Sequence, residues 1–233
     1  MTRLLASVMN VEEADCALQG GADIIDLKNP LAGALGALPA PTIQSIVKFV
    51  QQRVPTSATV GDLPMQPDIL YQAVQQTMCY GVDYVKIGFW GKQISLDCIE
   101  ILQPLTQQGG KLIAVLFADQ QPDLNSLCHF ARAGFAGVML DTANKQAGNL
   151  TQHLNQQTLK VFIQKAQILG LINGLAGSIG LAQISQLMLL SPFYLGFRGA
   201  LCVAQQRQSV LQIGAVKQIR EAIHNCKKEL KVA

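Results

Sequence analysis

The sequence predicts an α/β fold, a single-domain (β/α)8 TIM barrel over residues 1–233, on three observations. Eight short runs of strand character alternate with eight helical stretches from end to end. No linker-like break or low-complexity segment divides them. No Gly-x-Gly-x-x-Gly turn follows the first strand, where Val8-Met9-Asn10 stands instead. Sequential βα units imply parallel strands with right-handed crossovers, and eight of them fit a barrel near the short end of its size range. A doubly wound open sheet is the alternative, and it would usually carry that glycine turn.

Period and punctuation define each element in turn. Residues 4–8 read as a strand, followed by an amphipathic helix at 11–19 with Asn10 as its cap. The run 23–28 is the second strand; a Gly/Ala/Pro-rich loop, 30–41, leads to a helix at 42–52. Strands at 56–60 and 84–89 precede helices at 68–80 and 96–107. The strand at 111–117 leads to a helix at 124–133 ended by Gly134. The strand at 138–141 leads to a long helix at 153–169 ended by Gly170. Strands at 171–175 and 194–198, with helices at 181–190 and 210–227, complete the series.

Composition narrows the function classes. The hydrophobic fraction is 49% and the charged fraction 14%, against about 25% charged in an average chain. The surface is accordingly rich in Gln, and low charge is compatible with buried contacts in a homo-oligomer. The net charge of +3 comes with no basic stripe, so no nucleic-acid partner is expected. Six cysteines lie far apart without a C-x-x-C pair and read as small buried hydrophobes in a reducing cytosol. His129, His153 and His224 form no H-E-x-x-H pattern, so no metal is expected. The N-terminus lacks a signal-peptide pattern, and no apolar run is long enough to span a membrane. The expected location is cytoplasmic.

Two lysines stand in segments that otherwise read as core. Lys28 ends Ile24-Ile25-Asp26-Leu27-Lys28 before Pro30, and Lys86 lies within Tyr84-Val85-Lys86-Ile87-Gly88. A buried ammonium is costly unless it is paired or its pKa is lowered. In a barrel, catalytic groups belong at the C-terminal ends of strands. Asp26, Lys28, Asp62, Lys86, Asp119, Asp141, Lys145 and Arg198 all fall there. Asp26 and Lys28 are two apart and share a face. Neighbouring ammonium groups depress one another's pKa, which favours a free amine able to attack an aldehyde or ketone, with aspartates as proton carriers. The competing reading is an internal ion network that serves structure alone. Asp62 and Asp119 could equally cap helices or pair locally.

Two glycine-rich segments, 174–178 and 196–200, follow strands seven and eight, where barrels often hold phosphate. Gly177, Ser178, Arg198, Gly199 and Ala200 are the phosphate-binding candidates, and Arg198 could instead brace strand eight. The segment 33–36 is either a lid or an exposed turn. Trp90 either walls the pocket or packs the barrel against a helix.

The motifs Asp26-Leu27-Lys28-Asn29-Pro30, Gly33-x-x-Gly36-Ala37, Val85-Lys86-Ile87-Gly88, Met139-Leu140-Asp141-Thr142-x-x-Lys145, Leu175-Ala176-Gly177-Ser178 and Phe197-Arg198-Gly199-Ala200-Leu201-Cys202 occur in this order over nearly the whole chain. The combination resembles the (5-formylfuran-3-yl)methyl phosphate synthase family. That resemblance implies a TIM-barrel lyase of methanofuran-type cofactor biosynthesis, needing no metal or organic cofactor. Its reaction joins two glyceraldehyde 3-phosphate molecules, with loss of one phosphate and two waters. By resemblance Lys28 is the Schiff-base lysine, and Asp26, Lys86, Asp141 and Lys145 are its catalytic partners. Two rivals share parts of the pattern: another Schiff-base aldolase acting on a sugar phosphate, and a non-catalytic barrel that binds a phosphate ligand.

Overall fold

The computed structural model describes residues 2–232, with side chains as far as Cys226. Eight strands close into a barrel in sequence order: β1 (Arg3–Val8), β2 (Ile24–Leu27), β3 (Thr56–Thr59), β4 (Tyr84–Phe89), β5 (Leu112–Phe117), β6 (Gly137–Asp141), β7 (Ile172–Leu175) and β8 (Tyr194–Phe197). Every pairing is parallel, and β8 returns to pair with β1. Among the described residues, ten α-helices lie between and after the strands: α1 (Val11–Gln19), α2 (Ala40–Val50), α3 (Pro67–Met78), α4 (Leu96–Glu100), α5 (Gln103–Gln107), α6 (Leu127–Arg132), α7 (Leu150–His153), α8 (Gln156–Ile168), α9 (Leu181–Met188) and α10 (Ile213–Val232). The barrel expected from the alternating pattern is the fold observed.

Three expected helices differ in detail. The stretch 96–107 breaks into α4 and α5, and Pro104, which has no N–H to donate, sits in the first turn of the second piece. The stretch 153–169 becomes α7 and α8 because Leu154 is extended and Asn155 starts the chain afresh, its side chain accepting from Thr158 N at 2.9 Å. The helix expected from 124 opens as a 3-10 turn at 124–126, capped by Asp123.

Period-two alternation sorts the strand residues into two layers. Leu4, Ala6 and Val8, then Ile25 and Leu27, then Val85, Ile87 and Phe89 pack outward into the large core beneath the helices. Leu5, Ile24, Ile113, Val115, Met139 and Tyr194 form a smaller interior cluster. The intervening inward positions of β1, β2, β3, β4 and β6 carry Ser7, Asp26, Ser57, Lys86 and Asp141, all of them buried. The barrel interior is therefore apolar on the side of the strand starts and polar toward the strand ends, which positions the site.

Candidate active site

Asp26 is fully buried and accepts three hydrogen bonds, from Ser7 Oγ at 2.8 Å, Ser57 Oγ at 2.6 Å and Lys86 Nζ at 3.0 Å. The barrel register dictates this meeting, because Ser7 and Ser57 are the lateral neighbours of Asp26 on β1 and β3. Burial alone would raise the Asp26 carboxyl, but Lys86, then Lys28 and the Ser57 hydroxyl, outweigh it and hold it below its ordinary value. Lys86 is 1% exposed, and burial lowers its ammonium despite the attraction of Asp26.

Asp141, at the end of β6, gathers the other two lysines. Lys145 Nζ donates to Asp141 Oδ1, and Lys28 Nζ lies 3.6 Å from Asp141 Oδ2. Thr142 N also donates to Oδ1, at 2.8 Å. Burial would raise this carboxyl as well; Lys145 and Lys28 reverse the effect and hold it far below the carboxylate range. Burial in turn pushes the Lys145 ammonium down to about 8, against the pull of Asp141.

The five expected catalytic residues, Asp26, Lys28, Lys86, Asp141 and Lys145, thus line one cavity of about 1130 Å³. They do form an internal ion network, yet its members differ in a way that matters for chemistry. Lys86 and Lys145 are each hydrogen-bonded to a carboxylate. Among the described residues, the Lys28 ammonium has an ion-pair partner but no hydrogen bond. Both carboxylates are held below their ordinary values and Lys145 is lowered to about 8, which favours a lysine over the aspartates as proton carrier. The aspartates are fixed anions that hold the lysines.

Asp62 and Asp119 play parallel supporting parts. Asp62, just after β3, accepts from Ala34 N at 2.8 Å and Leu35 N at 2.7 Å. Asp119, just after β5, accepts from Ala143 N and Asn144 N, both at 2.8 Å, and so fixes the loop that carries Lys145. Each carboxylate staples the loop of a neighbouring strand rather than capping a helix. The 33–36 segment is consequently a packed wall of the mouth, with Leu35 only 1% exposed. Gly33 has φ +112°, and a Cβ there would stand 2.0 Å from Asp62 Oδ2, so the staple itself requires glycine. Trp90 stacks on Phe117 at 4.0 Å.

All five phosphate candidates, Gly177, Ser178, Arg198, Gly199 and Ala200, line the cavity. Gly177, at φ +104°, lets the β7 loop approach the loop of Asp141, and Ser178 Oγ reaches Lys145 O at 3.4 Å. Arg198 does not fit the phosphate role. It is buried, and its guanidinium donates to both Glu13 oxygens and to the carbonyls of Ser7, Arg207 and Ser209, which uses all of its N–H groups. It braces strand eight, as the alternative reading had it, against Glu13 of α1.

Ser7, Ser57, Glu13 and Arg207 are the residues of this region that sequence reasoning missed. Strand alternation carried a signal for Ser7 and Ser57, which share the inward phase of Asp26 and Lys86. Glu13 on a helix and Arg207 in a loop had none. Among the described residues, no group of three or more His, Cys, Asp or Glu side chains could hold a metal ion, and no helix is long and apolar enough to cross a membrane.

The arrangement of lysines around one cavity can be set beside known proteins. The family model described as 4-HFC-P synthase matches residues 4–220. The chain belongs to the 4-HFC-P synthase family. It is therefore an enzyme. A (5-formylfuran-3-yl)methyl phosphate synthase of Methanosarcina acetivorans is 33% identical over 222 residues, covering 90% of this chain and 94% of its own. A protein of Methylorubrum extorquens provisionally given the same name is 40% identical over 221 residues, covering 95% of this chain and 91% of its own. Among solved structures, 3-hexulose-6-phosphate synthase from Salmonella typhimurium superposes with a TM-score of 0.69 at 15% identity, over 97% of this chain and 100% of its own. That last likeness is one of fold.

Proposed function

We propose that this enzyme makes (5-formylfuran-3-yl)methyl phosphate from two molecules of glyceraldehyde 3-phosphate through an imine on Lys28, for a methanofuran-type cofactor. The observation that carries the reading is the contrast among the three lysines of the cavity: among the described residues, Lys28 alone has no hydrogen bond to its ammonium, while Lys86 and Lys145 are held by carboxylates. A nucleophilic amine needs a lone pair and room to turn, and a held ammonium has neither.

The substitution pattern of the product dictates the bonds. Lys28 Nζ adds to C1 of the first triose and expels water, leaving an iminium. Loss of the C2 proton gives an enamine, whose electron pair moves to C2–C3 and expels phosphate from C3. C3, now the nucleophilic end of an enol, attacks C2 of the second triose in its ketone form. The C1 hydroxyl of that second triose closes on C2 of the first. Two dehydrations make the ring aromatic, and water releases the aldehyde from Lys28. The water lost in forming the imine returns at its hydrolysis, so the sum is one phosphate and two waters.

Each proton in this sequence needs a carrier near neutral pH. Lys145, lowered to about 8, meets that requirement as ammonium donor or amine acceptor, with Asp141 holding it in place. Its task is the aldehyde-to-ketone shift of the second triose and the dehydrations. Lys86 and Asp26 form a buried charge pair beneath the imine that stabilises its cation. The glycine turn at 177–178 holds the phosphate that is retained.

The test is incubation of the purified protein with glyceraldehyde 3-phosphate alone. The expected result is a growing ultraviolet furan absorbance with one inorganic phosphate released per furan. A product silent in the ultraviolet that keeps both phosphates would replace this reading with a simple aldol condensation.

A further inference from the structure

Arg207 is the one charged group lining the cavity that the chemistry above leaves without a task. The cavity carries Lys28, Lys86, Lys145 and Arg207 against Asp26 and Asp141, so four cations face two anions once Arg198 is cancelled by Glu13. That surplus of two positive charges suits a pair of phosphate monoesters. Arg207 is half-buried and, among the described residues, its side chain makes one hydrogen bond, from Nη2 to Gly33 O at 3.0 Å. The rest of its planar fork has no partner.

The backbone around Arg207 is held with care. Arg198, locked by Glu13, donates to Arg207 O at 2.7 Å and to Ser209 O at 2.9 Å, gripping the chain on both sides of Gln208. Just before it, Ala204 and Gln205 take φ of 51° and 57°, a left-handed bend that non-glycine residues rarely adopt. The loop after β8 is thereby turned back across the mouth toward the loop after β2. Gly33, the partner of Arg207, lies five residues past Lys28 on that second loop. The glycine turn at 177–178 lies against Thr142 and Lys145, whereas Gly199 of the other turn lies beside Arg207, a Cβ there standing 3.8 Å from Arg207 Cβ.

We infer that Arg207 binds the phosphate of the triose carried on Lys28, the phosphate that leaves, while the glycine turn at 177–178 serves the phosphate that stays. Arg198 is a positioning residue that acts through the Arg207 backbone. A guanidinium fork accepts a phosphate bidentately and stabilises the charge that develops as the C3–O bond breaks. This inference rests on the imine reading above, and the experiment separates the two.

The experiment is borohydride trapping of the imine, titrated with glyceraldehyde 3-phosphate and with unphosphorylated glyceraldehyde, on wild type, Arg207→Met and Arg207→Lys. In Arg207→Met the half-saturation for glyceraldehyde 3-phosphate is expected to rise at least tenfold, toward that of glyceraldehyde, whose own value does not move. Arg207→Lys is expected to recover part of the loss, since it restores charge without the fork. An unchanged half-saturation for the phosphorylated triose in Arg207→Met overturns the assignment. An equal rise for both sugars also overturns it, because it marks a collapsed loop rather than a lost phosphate contact. Wild-type protein that traps neither sugar at Lys28 would overturn the imine reading itself.

Discussion

Lys28, Lys86 and Lys145 are chemically alike and structurally unlike. Lys28→Arg keeps a cation beside Asp141 but removes the amine, so turnover is expected to fall to about 10⁻³ of wild type or lower while the melting temperature stays near its original value. Lys145 gives a pH signature. Its ammonium is lowered to about 8, so the proton it donates is present below that pH and lost above it. The kcat/KM profile should therefore fall on the alkaline side near pH 8, and in Lys145→Met that limb should vanish with a rate loss of about 10²–10⁴. Asp26 and Asp141 act on stability with the opposite sense. Their folded carboxyls sit below ordinary values, so their stabilisation is complete at neutral pH and is lost as the pH falls through those folded values. Asp26→Asn strands the buried Lys86 charge and should cost about 3–5 kcal/mol in urea unfolding, and adding Lys86→Met should restore part of it. The positions of these residues were legible, because a lysine in an apolar run is conspicuous. Their protonation states were not, since these depend on which carboxylate each lysine meets across the barrel. Arg198 illustrates the same gap: its partner Glu13 is 185 residues away in the chain.

Strand phase carries most of the site at the scale of elements. Ser7, Asp26 and Ser57 pair laterally in one inward row, and Lys86, which pairs with Thr59, points inward one step further along the barrel. All eight strands could be read from the sequence, since each is a short apolar run closed by punctuation. Helix interruptions such as Leu154 were harder, because a single extended residue barely disturbs a helical period. The β7 turn gives a test at this scale. Gly177→Ala would force a Cβ to 2.9 Å from Thr142 Cγ2 at a backbone angle of +104°. We expect a stability loss of about 1–2 kcal/mol from the left-handed backbone alone, with a raised KM for the phosphorylated substrate. Calorimetry and initial rates together would check it. An unchanged KM would remove this turn from the phosphate site.

The whole molecule separates stability from chemistry by direction. The strand starts and the helix-facing layer are apolar and buried, and the strand ends gather the charges. Barrel closure brings β2, β4 and β6 around one mouth, so Lys28, Lys86 and Asp141 converge although they are spread over more than a hundred residues. That convergence followed from the alternating pattern alone. The two loop staples, Asp62 and Asp119, and the clasp from Arg207 to Gly33 did not, because contacts between loops leave no periodic trace in a sequence. The central claim is that Lys28 is the lysine that forms the imine. The direct measurement is borohydride reduction during turnover of glyceraldehyde 3-phosphate, followed by peptide mass mapping. The account predicts a reduced triose adduct on Lys28 together with loss of activity. An adduct on Lys86 or Lys145, or furan formation with no lysine trapped, would contradict it.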